Sequence, residues 1–225
     1  ARAEDLTTAT DSAPFAPLVN PSAALAGWSR IVFDSYRDGN SEIYIAAGDG
    51  AAPVRLTGLP TADYAPVLSR GGGRIAFVSE RTGNPEIFTI ATDGSRIWQA
   101  TFNAERDYAP AWSPDGKRIA FYSYRGDNAD IYVMNADGSD LKRLTTDPAA
   151  DLDPEWSPDG AQIAFASRRG GHGVWVMKAD GSGQRLLATA PAAGRPAWSP
   201  DGSQIAFDAD FDGDQVAFYL PLSEA

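Results

Sequence analysis

The chain has 225 residues and carries 19 lysines and arginines against 30 aspartates and glutamates, so its formal net charge is −11. The few cations are scattered, which excludes the basic stripe that nucleic-acid phosphates require, and no apolar run approaches the roughly 18 residues of a membrane-spanning helix. Cysteine is absent and His172 is the only histidine, which excludes disulfides, zinc–thiolate sites and histidine-rich metal centres.

A three-residue apolar motif recurs along the chain at steps of 44, 44, 44 and 42 residues. Its copies are Ile31–Phe33, Ile75–Phe77, Ile119–Phe121, Ile163–Phe165 and Ile205–Phe207. A second motif follows each copy at a nearly fixed distance, as Glu42–Tyr44, Glu86–Phe88, Asp130–Tyr132, Gly173–Trp175 and Gln215–Ala217. A period of this length indicates a repeat protein in which each repeat is one structural unit.

Each repeat contains four short β-rich runs that are separated by turn sequences. In the third repeat the turns are Trp112–Gly116, Arg125–Asn128 and Ala136–Ser139, and the Asp-Gly pairs in two of them are typical of hairpins. Four antiparallel strands in a period of about 44 residues are typical of a propeller blade. The sequence therefore predicts an all-β protein, a five-bladed β-propeller of four-stranded antiparallel blades.

The motif Trp-Ser-Pro-Asp-Gly begins at positions 112, 156 and 198, and is followed by Ile-Ala-Phe and then by sequences such as Asp130–Ser139. This order resembles the TolB-type WD40-like (PD40) propeller repeats over nearly the whole chain. Two repeats depart from it, because Pro21–Trp28 and Leu68–Gly72 replace the Asp-Gly turn. The resemblance implies a propeller that presents a channel mouth or rim to a protein or peptide partner, in the periplasm or outside the cell. It does not fix the function, because the family also includes peptidase-associated propellers.

The two ends of the chain are predicted to meet, which makes residues 1–225 a single domain. Only one strand, Gln215–Pro221, follows the fifth Ile-Ala-Phe motif, so the last blade lacks its outermost strand. The run Glu4–Thr8 resembles the fourth-strand run Lys142–Thr146, which predicts that residues 1–10 complete the last blade and close the ring. The alternative is a six-bladed ring whose extra material lies beyond this sequence.

Aspartates are predicted at the entry to the innermost strand of four blades, at Asp11, Asp63, Asp107 and Asp151, whereas the fifth blade has Ala193 there. The innermost strands of a propeller surround its channel, so four carboxylates at one mouth would attract a divalent cation or a basic peptide. The alternative is that each aspartate caps its own turn, as a residue that recurs with the repeat often does.

A second acidic group follows the fifth Ile-Ala-Phe motif, at Asp208, Asp210, Asp212 and Asp214. Alternate carboxylates around a glycine turn can supply several of the oxygen ligands that Ca²⁺ needs, which makes this loop the first candidate for a calcium site. It is not an EF-hand, because position twelve is Tyr219 rather than a glutamate. The alternative is a solvated acidic hairpin.

Arginines precede acids in the second hairpin of three repeats, as Arg37 with Glu42, Arg81 with Glu86 and Arg125 with Asp130. We expect these to form ion pairs within each hairpin. The fourth repeat breaks the pattern, because Arg168 and Arg169 face Gly173, and these arginines with His172 form a weak candidate for a partner-binding edge. The recurrent Trp112, Trp156 and Trp198 are expected in the core.

These features favour a monomeric, non-enzymatic binding or scaffold propeller, with calcium as a candidate stabilising ligand. No catalytic residues are predicted, because His172 lies in a glycine-rich turn where a general base would lack rigid support. Two alternatives stay open. The chain could be the accessory or substrate-gating propeller of a larger hydrolase, or a polysaccharide-active propeller enzyme.

Overall fold

The computed structural model describes residues 30–126, 128–211 and 213–222. They contain eighteen strands in five antiparallel sheets, and each sheet is one sequence repeat, numbered here as blades one to five. Blade one contains β1 (Arg30–Ser35), β2 (Glu42–Ala47) and β3 (Val54–Arg55). Blade two contains β4 (Asp63–Leu68), β5 (Arg74–Ser79), β6 (Glu86–Ala91) and β7 (Trp98–Gln99). Blade three contains β8 (Asp107–Trp112), β9 (Arg118–Ser123), β10 (Asp130–Asn135) and β11 (Lys142–Arg143). Blade four contains β12 (Asp151–Trp156), β13 (Gln162–Ser167), β14 (Gly173–Lys178) and β15 (Arg185–Thr189), and blade five contains β16 (Gly194–Trp198), β17 (Gln204–Phe211) and β18 (Asp214–Pro221).

The predicted five-bladed β-propeller is confirmed. In every blade the described strands are hydrogen-bonded in chain order. The first apolar motif lies on the second strand and the second motif on the third in blades two to five, whereas in blade one they lie on β1 and β2. The strands most distant from the channel in blades one to three are only two residues long. Among the described residues there is no helix with the length and hydrophobicity needed to cross a membrane.

Neighbouring blades pack face to face through apolar side chains. Phe77, Phe121 and Phe165 are completely buried at equivalent places in blades two to four, as expected for sheets that are covered on both faces. Trp112 is also buried, and its Nε1 donates a hydrogen bond to the carbonyl oxygen of Val67 in the preceding blade at 3.1 Å. The recurrent tryptophans therefore belong to the packing between blades, as predicted.

The turn of the second repeat folds like the others although its sequence departs from the motif. The N–H of Ser69 donates to Arg74 O at 2.8 Å and that of Gly72 to Ser69 O at 2.7 Å, the same two bonds that Ser113 and Gly116 make in blade three. Gly72 has φ +68°, close to +66° at Gly116. A serine and a glycine at the left-handed position are therefore sufficient for this turn.

A bulge that the sequence does not indicate bends the innermost strand in blades two to five. One non-glycine residue in each strand has a positive φ, and the residues are Ala65 (52°), Ala109 (49°), Asp153 (50°) and Arg195 (43°). A left-handed conformation costs such residues roughly 1 kcal/mol, so packing must impose it. Bulges change the direction of the following side chains, and here they do so beside the channel.

The predicted closure of the ring by residues 1–10 lies outside the described residues, as does the first-repeat turn Pro21–Trp28. Blade five ends with β18, on which Val216 is 37% and Tyr219 is 61% exposed. The N-terminal pairing thus stays a prediction.

Candidate partner-binding surface at the channel mouth

The aspartates at the entry to the innermost strands pair with arginines of their own blades. Asp63 and Asp107 are completely buried, and their Oδ2 atoms accept hydrogen bonds from Arg81 Nη2 at 2.8 Å and from Arg125 Nη2 at 2.6 Å. Asp151 accepts a bond from Arg169 in the same way. These pairs hold the innermost strand to the hairpin of the next two strands.

The expected ion pairs of Arg37, Arg81 and Arg125 with Glu42, Glu86 and Asp130 are therefore wrong. The acid that begins the third strand is held instead from the fourth strand, as Arg143 Nη2 bonds Asp130 Oδ2 at 2.6 Å. Arg55 binds Glu42 equivalently, and Arg37 donates to Ser35 Oγ. Strand pairing explains why Arg125 binds Asp107. The first residue of β8, Asp107, lies opposite the last residue of β9, Ser123, which is two residues before Arg125.

The arginine that follows the second strand of the repeat also lies over two aromatic rings of its own blade, at Arg37, Arg81, Arg125 and Arg169. The Arg125 guanidinium carbon is 5.5 Å from the ring centroids of both Phe121 and Tyr132, and that of Arg81 is 4.8 Å from Phe88. A guanidinium that is stacked on aromatic rings and bonded to a buried carboxylate is a strong anchor within each blade. The repeated aspartates consequently have a structural role.

The structure does not bring either predicted calcium group together as a ligand set in the described part of the chain. No three carboxylate or imidazole side chains there are placed to hold a metal ion. Asp11 and Asp212 lie outside the described residues. Asp210 Oδ1 accepts a hydrogen bond from Gly213 N at 2.9 Å, which caps the β17–β18 turn. Calcium binding by Asp208, Asp210, Asp212 and Asp214 stays a prediction.

Two of the three residues of the predicted partner-binding edge lie in framework positions. Arg169 is not unpaired, because it bonds Asp151 and lies 3.6 Å from Asp147. His172 has a φ of 76° and occupies the place at which blades one to three have an asparagine. The side-chain amide of that asparagine donates hydrogen bonds to two carbonyl oxygens of the loop before the next blade, at Asn40, Asn84 and Asn128. Arg168 is exposed.

A cleft of about 930 Å³ opens between blades two and three on the side where the innermost strands begin. Its walls are formed by the ends of β5, β8 and β9 and by the loops that follow β5 and precede β8. The lining residues are Glu80, Gly83, Asn84, Pro85, Ala104, Glu105, Arg106, Tyr108, Tyr122 and Tyr124. The volume is in the range of sites that hold a small molecule or a few residues of a peptide.

Three tyrosine rings form one wall of this cleft. The centroids of Tyr108 and Tyr122 are 5.4 Å apart, and Tyr124 meets both rings edge-on at 6.3 and 6.1 Å. Tyr124 is 41% exposed. Nearby, the Tyr64 hydroxyl donates a hydrogen bond to Glu80 Oε1 at 3.3 Å.

Two tyrosines of this region, Tyr64 and Tyr122, have a raised pKa. Burial raises the pKa of Tyr64, and the Glu80 carboxylate raises it further. Burial likewise raises the pKa of Tyr122, with the Asp153 carboxylate acting in the same direction and the Arg168 guanidinium weakly against it. In both cases burial is the largest cause, and a nearby carboxylate acts in the same direction.

The cleft includes two members, Glu80 and Tyr124, of a set of rim positions that are equivalent in all five repeats. In chain order this position is occupied by Tyr36, Glu80, Tyr124, Arg168 and Asp210. Tyr36 is 72% exposed, and Glu80 and Arg168 are also exposed. Alignment of the repeats could have revealed this variation. The cleft itself could not be found in this way, because its walls come from two blades.

The fold and this surface define the class as a β-propeller of PD40-type repeats with a variable rim. A family model described as "PD40: TolB beta propeller domain" matches residues 105–218, and the chain belongs to this family.

Solved structures support the assignment. TolB from Acinetobacter baumannii is 25% identical with a TM-score of 0.76, and the match covers 86% of this chain and 50% of that one. The putative TolB from Agrobacterium tumefaciens is 24% identical with a TM-score of 0.71, covering 87% and 72%. An oligogalacturonate lyase from Vibrio parahaemolyticus is similar in fold alone, at 16% identity and a TM-score of 0.67, covering 86% and 59%. The chain therefore spans half the length of the first of these proteins, and no curated protein matches it.

Proposed function

We propose that this propeller is a non-enzymatic module that binds a protein or peptide partner at the channel mouth, in the cleft between blades two and three. The observation that carries the proposal is the chemical variation at the rim position of Tyr36, Glu80, Tyr124, Arg168 and Asp210 on an otherwise repeated framework.

The contrast between repeated and variable positions has a physical basis. A contact that stabilises one blade stabilises every blade, so the same residue is favoured at each copy, as at Asp63, Asp107 and Asp151. A partner that is not symmetric meets each blade differently, so the residues that contact it differ between blades. Exposed tyrosines beside charged groups are typical of such recognition surfaces.

The resemblance to TolB-type propellers supports a location outside the cytoplasm and a protein partner. The similarity to lyase and peptidase propellers is below 25% identity and supports only the fold. A Ser-His-Asp triad would have to use the single histidine, His172, which lies at a turn with φ 76°. A turnover that is abolished by His172→Ala would overturn the non-enzymatic assignment.

Selection from a phage-displayed random peptide library on the folded protein tests the proposal. We expect selected peptides to lose affinity about tenfold when Tyr124 is replaced by alanine, since exposed tyrosines at binding sites often contribute this much. Lys117→Ala is the control, because Lys117 is exposed in the β8–β9 turn at the opposite end of the same strands. Peptides that bind equally to both variants, or a selection without specific binders, would refute the proposal.

A further inference from the structure

The cleft between blades two and three contains more negative than positive charge. Glu80 and Glu105 line it and are both exposed, whereas Arg106 is the one cationic side chain among its lining residues. A ligand that enters this cleft therefore gains from a positive charge.

The aromatic wall of the cleft differs from the other aromatic pairs of the propeller. In blades one to four the two rings on the second and third strands have an arginine guanidinium over them, at Arg37, Arg81, Arg125 and Arg169. In the described part of the chain, no guanidinium lies over the rings of Tyr108, Tyr122 or Tyr124 in this way.

The cleft thus repeats the chemistry by which the blades bind their own arginines. In blade three, Arg125 is bound by the rings of Phe121 and Tyr132 and by the carboxylate of Asp107. The cleft offers tyrosine rings beside the carboxylates of Glu80 and Glu105. The difference is that the cleft groups are open to a partner.

We propose that this cleft binds an arginine side chain of a basic peptide segment, an assignment that rests on the proposed function. Arginine fits better than lysine, because its planar guanidinium stacks on aromatic rings and forms two parallel hydrogen bonds to a carboxylate. An acidic oligosaccharide is disfavoured by the same carboxylates. The volume of about 930 Å³ accommodates neighbouring peptide residues as well.

Two labelled peptides test the ligand class directly. One is Gly-Arg-Gly-Arg-Gly, and the other replaces each arginine by citrulline, which keeps the shape but removes the charge. We expect fluorescence anisotropy to show binding of the arginine peptide that weakens with added salt, and citrulline to lower the affinity at least about threefold. Equal binding of both peptides, or no binding of the arginine peptide, would overturn the proposal.

Protein variants locate the site. Tyr124→Ala and Glu105→Gln should each weaken binding of the arginine peptide about threefold or more, and Arg106→Ala should strengthen it by removing a like charge. Lys117→Ala is the control, because Lys117 is exposed in the β8–β9 turn at the opposite end of these strands from the cleft, and its replacement should leave the affinity unchanged. If Tyr124→Ala and Glu105→Gln leave the affinity unchanged while the control variant lowers it, the peptide binds elsewhere and the assignment to this cleft is wrong.

The library selection distinguishes failure of this inference from failure of the proposed function. If selected peptides require Tyr124 but bind equally well after their arginines are replaced by citrulline, the mouth is a peptide site and the arginine assignment is wrong. If the selected peptides do not require Tyr124, both proposals fail.

Discussion

The pair of Arg125 and Asp107 provides the sharpest test of how the strands within a blade are held together. Asp107 is completely buried, and its Oδ2 accepts bonds from Arg125 Nη2 at 2.6 Å and from Asn103 Nδ2 at 2.9 Å. Arg125→Ala removes the cation and leaves a buried carboxylate, which typically costs 3 to 5 kcal/mol. We expect the lower end of this range, about 3 kcal/mol, for two reasons. The Arg125 side chain is 18% exposed, and Asn103 still donates its hydrogen bond to Asp107 in the variant.

Urea denaturation of the full chain measures this loss in the free energy of unfolding, and thermal denaturation measures the corresponding change in Tm. A cost of about 3 kcal/mol corresponds to a decrease in Tm of about 6 to 12 °C for a domain of this size. The double variant Arg125→Ala/Asp107→Asn should recover at least about 1.5 kcal/mol, because it also removes the uncompensated charge. Arg125→Lys should be intermediate, since lysine keeps the charge but does not stack on Phe121 and Tyr132.

The control is the ion pair of Lys142 and Asp140, whose side chains are 64% and 59% exposed at an N–O distance of 3.1 Å. Lys142→Ala should change the free energy of unfolding by no more than about 0.5 kcal/mol. If Arg125→Ala costs no more than Lys142→Ala, the buried pair does not anchor the blade and the argument is refuted.

Four further predictions follow. Burial raises the pKa of Glu155 from 4.5 to about 7. The folded state therefore binds this proton more tightly than the unfolded state does, and the free energy of unfolding falls as the pH rises from about 4.5 to about 7. In urea titrations, Glu155→Gln should be nearly neutral at pH 4 and should stabilise the protein by up to about 3 kcal/mol at pH 8. Gly138 and Gly116 both have a positive φ, but their surroundings differ. A Cβ at Gly138 would lie 2.4 Å from a backbone carbonyl oxygen of the preceding blade, whereas a Cβ at Gly116 would have no neighbour within 4 Å. Gly138→Ala should therefore lower the free energy of unfolding by at least about 1 kcal/mol more than Gly116→Ala does. Millimolar calcium should raise the Tm of chelator-treated protein, and Asp210→Asn should abolish the shift; an unchanged Tm in the parent contradicts the calcium prediction. Deletion of residues 1–10 should lower the Tm by removing the predicted last strand of blade five, and an unchanged Tm would exclude that pairing.

The sequence predicted the fold because the repeat supplies the same information in several copies. Strand number, turn positions and the burial of Phe77, Phe121 and Phe165 all follow from apolar periodicity and turn chemistry. The predicted ion pairs are wrong, because they were assigned from proximity in sequence, as for Arg125 and Asp130, whereas Arg125 binds Asp107. The strand register, which places Asp107 opposite Ser123, was the better guide to the true partner of Arg125.

The cleft could not be predicted from the same patterns. Tyr108 lies on β8 and Tyr124 directly follows β9 in blade three, while Glu80 belongs to blade two, so their proximity depends on the packing of the two blades. The bulge at Ala109 adds to the difficulty, because a left-handed alanine has no sequence signature comparable with glycine. Only the variation among equivalent rim positions was available from the sequence.

The framework and the cleft are linked through neighbouring residues of blade three. Asp107 precedes Tyr108, and Ser123, which lies opposite Asp107 in the strand register, precedes Tyr124. The ion pair between Asp107 and Arg125 therefore fixes both segments that carry tyrosines of the cleft wall. A wall that is rigid before binding loses less conformational entropy when a ligand is bound, so the same buried pair that stabilises the blade also prepares the cleft for its partner.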